Sequence, residues 1–160
     1  MKKKKQFTHI GASGNPALVD VSEKKTSLRT ARARATVRVG AQILALLKNN
    51  ELTTKKGAVF QTAIIAGITG AKKTSDLIPL CHPLGLDDCQ IKISVKNKKI
   101  VIDTSATLVA KTGVEMEALT AASIAALTIY DMCKALSHNI IIEEIQLMEK
   151  TGGKNNFKRK

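Results

Sequence analysis

Residues 111–136 read KTGVEMEALTAASIAALTIYDMCKAL, and the rest of the chain is arranged around them. Thr112 and Glu115 stand in the S/T-x-x-E relation of a capping box, in which hydroxyl and carboxylate satisfy each other's backbone N–H groups. A helix is therefore predicted to begin near Gly113. It should run to about Leu136, because Ala, Leu, Met and Ile dominate and no proline intervenes. From Ala118 to Tyr130 there is no charged residue. A helix that is apolar nearly all round must be buried on most sides. It is too short, and too rich in Thr and Ser, for a membrane span of roughly 20 apolar residues.

Charge is confined to the two ends. Glu115 and Glu117 fall in the first turn, where carboxylates favour the positive end of the helix dipole. Asp131 and Lys134 share a face at i,i+3 in the last turns. Spacing alone leaves open whether these are solvated helix ends or functional groups. Glu117 and Asp131 lie about 21 Å apart along the axis. One compact site in one subunit cannot hold both, so two functional ends would imply a site shared between subunits.

A chain of 160 residues is read as one domain, long enough to bury about two-thirds of its unfolded surface. Its hydrophobic fraction is 44% with few aromatics, so the core should be aliphatic and alanine-packed. Net charge is +13. Without residues 2–5 and 158–160 the body still carries about +6, which suits an anionic ligand. Phe7, Phe60, Tyr130 and Phe157 are scattered and form no stacking platform for bases. No nucleic-acid motif is recognisable, so a small phosphorylated ligand is favoured over nucleic acid. Cys81, Cys89 and Cys133 are odd in number and lack a C-x-x-C pairing, which argues against a disulfide framework and a structural zinc site. The stretch after the N-terminal lysines is not an apolar signal core. The expectation is a soluble, cytoplasmic protein with no membrane partner.

Working outward, residues 1–28 are polar with turn residues and are read as an arm. Residues 29–150 are read as a single α+β catalytic domain, and residues 151–160 as a basic flexible tail. Ala35, Val37 and Val39 alternate with Arg34, Thr36 and Arg38, a strand with a basic outer face. Residues 42–48 are predicted as a short helix ended by Asn49-Asn50. Residues 53–57, TTKKG, form a basic loop before a helix over residues 58–72, a weak phosphate-site signal. Gly67 and Gly70 in that helix lower its propensity by about 1 kcal/mol each and suggest close packing on another helix. Pro79 and Pro83 stiffen the loop that carries Cys81 and His82. Residues 90–96 and 100–109 are read as a hairpin turning at residues 97–99, and residues 140–150 as a last strand. The Gly152-Gly153-Lys154 segment is read equally as a plain tail or as a loop that could close over a phosphate. The resulting order predicts a ferredoxin-like antiparallel sheet with helices packed on one face.

KTGVEMEALTAASIAALTIYDMCKA, DLIPLCHPL, AVFQTAIIAGI after Lys56-Gly57, and VDVS around Asp20 occur together in one order. In this the chain resembles the cyclic pyranopterin monophosphate synthase family of molybdenum cofactor biosynthesis, over nearly its whole length from Thr8 to Phe157. The resemblance implies a lyase that converts 3′,8-cyclo-7,8-dihydroguanosine 5′-triphosphate to cyclic pyranopterin monophosphate and releases pyrophosphate. It implies no redox chemistry and no resident cofactor, with Mg²⁺ accompanying the triphosphate left undecided. It also implies a homohexamer, a trimer of dimers with sites at dimer interfaces.

By position, the resemblance makes Asp131 and Lys134 of DMCKA catalytic, together with Lys56. It makes Leu80, Cys81 and His82 a substrate-contact segment, Met116 and Glu117 a second contact pair supplied by the neighbouring subunit, and Arg29 a residue facing the triphosphate. Lys73 stands where the family often has Arg, keeping the charge but losing the bidentate fork. Ala58 stands where Asp is usual. The expected roles are Lys56 and Lys134 as an acid/base pair, with Asp131 positioning Lys134, and His82, Lys73 and Arg29 neutralising phosphate charge. The two lysines, close to each other and to Arg29, are expected to depress one another's pKa. The alternative is a non-catalytic basic module for RNA or a nucleotide. Its polynucleotide affinity would fall steeply with salt and would not depend on Asp131.

Overall fold

The computed structural model describes residues 14–160; Lys2, Lys3, Lys4, Lys5, Phe7 and His9 lie outside the described residues. In chain order the elements are β1 (Ser27–Arg38), α1 (Ala41–Leu44), β2 (Leu47–Lys48), β3 (Glu51–Thr54), β4 (Gly57–Ala58), α2 (Val59–Lys72), α3 (Thr74–Leu77), β5 (Asp88–Lys96), β6 (Lys99–Ala110), α4 (Glu115–Cys133), β7 (Ile141–Thr151) and β8 (Phe157–Lys158).

The alternation in β1 is what places the sheet. Ala31, Ala33, Ala35 and Val37 are buried, while the arginines between them face outward. Each outward arginine meets an acid: Arg34 Nε lies 2.7 Å from Asp103 Oδ1, Arg38 Nε 3.0 Å from Glu143 Oε1, and Arg32 Nη1 3.8 Å from Glu149 Oε2. β1 pairs antiparallel with β6 on one side and β7 on the other, and β5 pairs with β6, giving the order β5-β6-β1-β7-β8. Two register shifts in β7, opposite Arg32/Ala33 and Thr36/Val37, bend that strand. The expected antiparallel sheet is thus present, with α2 and α4 on the face that carries the buried row.

The core is aliphatic and small. Ala118, Ala122, Ala125, Ala126 and Ile129 of α4 meet Ala33, Ala35, Ile100, Ile102 and Ala106 of the sheet. Thr104, the buried polar residue beneath α4, donates to the Ala118 carbonyl at 2.8 Å, so its hydroxyl is satisfied. The two glycines of α2 do what their positions suggested. A Cβ on Gly67 would stand 2.9 Å from the Ala121 carbonyl oxygen, and one on Gly70 would meet Ile124 at 2.6 Å. The two helices therefore touch nearly backbone to backbone.

Four local expectations need correction. The short helix ends at Leu44, and Leu47–Lys48 is already strand. Asn49 and Asn50 have φ of 50° and 59° and form a two-residue hairpin turn from β2 into β3 rather than a helix stop, since both central residues of such a turn need positive φ. Asn97-Lys98 turns β5 into β6 in the same way, with φ of 48° and 60°. The predicted capping box does not form. Val114 is the N-cap of α4 with no side-chain cap, and the Glu115 carboxylate instead takes the Lys150 ammonium at 2.7 Å, a full charge outbidding a neutral N–H. α4 stops at Cys133, short of the expected Leu136. The C-terminal residues return to the sheet, with Phe157 and Lys158 pairing with Lys150 and Glu149. Among the described residues no helix is long and apolar enough to cross a membrane.

Candidate active site

The candidate residues gather at the two ends of α4. At its C-terminal end, Asp131 stands between two ammonium groups. Lys56 Nζ donates to Asp131 Oδ2 at 2.7 Å and to the Asp131 carbonyl oxygen at 2.9 Å. Lys134 Nζ lies 2.9 Å from Asp131 Oδ1. Lys56 arrives from the tight turn between β3 and β4, where Thr54 Oγ1 accepts the Lys56 N–H at 3.2 Å and Gly57 supplies a φ of 107°. Beside this trio Leu46, Met132 and Leu136 line an apolar groove.

The hydrogen bonds from Lys56 and Lys134 hold the Asp131 carboxyl at about 2, well below its ordinary 3.8. The same carboxylate holds the Lys134 ammonium above its ordinary 10.5. The expected depression of Lys134 is therefore absent. A carboxylate separates the two lysines, and Arg29 lies at the opposite end of the chain's own α4.

At the N-terminal end of α4 two cavities adjoin, sharing Lys24, Thr112, Gly113, Glu115 and Lys150. The first, of about 440 Å³, brings together Lys24, Lys25, Arg29, Lys111, Lys150 and Lys154, against Glu115 as its one acid among the described residues. Arg29 Nε donates to the Ala110 carbonyl at 3.3 Å, and Lys111 Nζ to the Ser22 carbonyl at 2.6 Å. Gly153 and Lys154 of the Gly-Gly-Lys segment line this cavity. The second, of about 520 Å³, is lined by Val19, Leu80, Cys81, His82, Met116 and Glu117 among others. His82 Nε2 donates to the Val19 carbonyl at 2.9 Å, which fixes its tautomer.

Glu117 is 3% exposed, and its burial, with Glu115 nearby, pushes its carboxyl above the ordinary range. Burial also raises the Cys81 thiol, so this is no activated thiolate. Lys73 is exposed at the C-cap of α2 and lines neither cavity.

Within one chain, Arg29, Leu80, Cys81, His82, Met116 and Glu117 gather around one pair of cavities, and Lys56, Asp131 and Lys134 form one hydrogen-bonded cluster. Lys24, Lys25, Lys111 and Lys150 were missed. A faint signal was there: Lys111 directly precedes Thr-Gly at the mouth of α4, and Lys150 directly precedes Thr-Gly-Gly-Lys.

A mixed α+β fold with a polycationic cavity opening beside an apolar, imidazole- and carboxylate-bearing one defines a protein suited to a small phosphorylated ligand. The MoaC family model matches residues 18–153. The chain belongs to the MoaC family, and with it to molybdenum cofactor biosynthesis.

Proposed function

We propose that this chain is a cyclic pyranopterin monophosphate synthase, a lyase built on a ferredoxin-like plan. It converts 3′,8-cyclo-7,8-dihydroguanosine 5′-triphosphate to cyclic pyranopterin monophosphate and pyrophosphate. The observation that carries this reading is the pairing of a Lys56–Asp131–Lys134 cluster with a six-cation cavity at the other end of the same helix. The cavity around Arg29 and Lys150 holds the triphosphate and stabilises the departing pyrophosphate. The adjoining cavity takes the ring system, with His82 and the buried Glu117 as its hydrogen-bonding groups. Lys134, kept protonated by Asp131, gives a proton to a developing anion, and Asp131 orients it.

The two ends are joined by a second copy of the chain. Met116, Ser123, Leu127, Tyr130 and Lys134 recur at helical spacing along one side of α4. On that stripe Leu127 is 54% exposed and Met116 37%. A two-fold axis crossing α4 near residue 124, midway between Glu117 and Asp131, would cover this stripe in both chains. It would also bring the Asp131 cluster of each chain toward the other's Glu117 cavity. We read the assembly as a hexamer of three such dimers.

Pyrophosphate release from the cyclised nucleotide tests the reaction; no release by the full-length protein would end this reading. The shared site is tested by mixing Lys134→Ala chains with His82→Ala chains. Each variant alone is expected to be nearly inactive. Randomly mixed dimers restore roughly a quarter of wild-type turnover, because half the dimers are mixed and each mixed dimer holds one intact site. No restoration in demonstrably mixed dimers would show that each chain works alone.

A further inference from the structure

The catalytic turn that carries Lys56 is held from outside itself. α2 begins directly after it, and its N-cap is Ala58, whose methyl group cannot accept a hydrogen bond. The first N–H groups of a helix need acceptors from elsewhere. Glu51, on β3, supplies two of them. Its Oε1 accepts the Phe60 N–H at 2.8 Å, and its Oε2 accepts the Gln61 N–H at 3.1 Å. The same Oε1 also accepts the Leu52 N–H at 2.8 Å. A carboxylate at this place also suits the positive end of the α2 dipole.

Between Glu51 and Phe60 the chain runs out along β3, through Lys55-Lys56 and back along β4. The carboxylate therefore closes this excursion at its base, while Lys56 at the tip reaches Asp131. Thr54 fixes the tip locally, but it cannot fix the loop relative to α2.

We propose that Glu51 is the positioning residue for Lys56, a cap borrowed from a neighbouring strand that sets where the ammonium meets Asp131. This rests on the reading of Lys56, Asp131 and Lys134 as the reacting cluster. Glu51 touches none of the reacting groups. Its effect runs through the first turn of α2, which β4 joins to the turn carrying Lys56.

The test uses full-length Glu51→Ala, Glu51→Gln and the double variant Glu51→Ala/Ala58→Asp, in which Asp supplies a local N-cap. Three quantities are read: kcat and KM for pyrophosphate release, the pH titration of the Asp131 carboxyl by NMR, and amide exchange at Phe60 and Gln61. Glu51→Ala should lower kcat about tenfold or more with KM little changed, since an ångström of misplacement can cost about a hundredfold. The Asp131 titration should move up from about 2 as Lys56 leaves, and exchange at both amides should quicken. Ala58→Asp should reverse all three changes, and Glu51→Gln, which keeps an accepting oxygen, should fall between.

Thr104→Val, which removes a buried hydrogen bond away from the loop, controls for general loosening and should leave the Asp131 titration in place. An unmoved titration in Glu51→Ala, an equal movement in Thr104→Val, or a folded double variant without rescue would each overturn the proposal. Should Glu51→Ala not fold, Glu51→Gln against the double variant carries the same comparison. If the wild type releases no pyrophosphate, the functional reading fails by itself, and the titration and exchange data still decide the role of Glu51.

Discussion

The two ends of α4 solve opposite electrostatic problems. At the C-terminal end two ammonium groups and one carboxylate satisfy one another at 2.7 and 2.9 Å. At the N-terminal end, among the described residues, six cations converge on a cavity with one acid, and a second acid, Glu117, is buried next door without an ion-pair partner. The first arrangement gives each group a partner and leaves only a single positive charge over. The second leaves charge uncompensated and favours a polyanion that neutralises it. Under the proposed function the comparison teaches a division of labour: the paired end holds its groups in fixed geometry for chemistry, and the cation-rich end supplies affinity.

That contrast can be broken most directly by removing either lysine of the satisfied end. Lys134→Ala and Lys56→Ala should each cut pyrophosphate release by about 10²–10⁴-fold, the usual range for lost proton transfer, with substrate binding largely kept. If binding collapsed and turnover survived, the two ends would have exchanged roles. Arg29→Ala sharpens the other side. It should weaken binding of inorganic triphosphate, followed by calorimetry, about 10–100-fold, as expected for a lost charge-assisted contact. The loss should shrink as salt is raised.

A smaller effect separates scaffold from site. Gly67→Ala drives a methyl into the Ala121 backbone and should cost about 1–3 kcal/mol in chemical denaturation, loosening both ends together. The remaining effects are in pH. Glu117→Gln should stabilise the fold above the raised Glu117 pKa, where the wild type carries a buried charge that Gln lacks. The gain should vanish as pH falls through the raised Glu117 pKa and the acid becomes neutral. Asp131 has the opposite sign. Its stabilising interaction is present above 3.8 and lost as pH falls through about 2. Removing Lys134 should shift its NMR titration upward, which a charge cluster dominated by water would not do.

How much of this was written in the sequence depended on how local the cause was. Alternation of Ala33, Ala35 and Val37 with arginines marks β1 because one face is buried and the other ion-paired. The uncharged run of α4 marks the central helix because that helix is buried on most of its sides. Asn49-Asn50 misled because the same residues that end a helix also supply two positive φ values for a hairpin. The capping box failed because its competitor, Lys150, comes from a strand far along the chain. Lys24, Lys111 and Lys150 escaped for a related reason. They sit on separate segments, and only the pairing of β1 with β6 and β7 carries the last two to Arg29.

The glycine contacts of α2 against α4 have one more consequence. Locked at Gly67 and Gly70, the two helices act as a ruler: the turn before α2 marks one end, and the Cys81–His82 loop after it marks the other. Away from Gly67 and Gly70, such a ruler tolerates substitution better than a change of length. One residue inserted near Ser123 would rotate everything beyond it by about 100° and advance it by about 1.5 Å. The half of the helix that kept its grip on the sheet would stay in register, and the other half would point its acid away from Lys56.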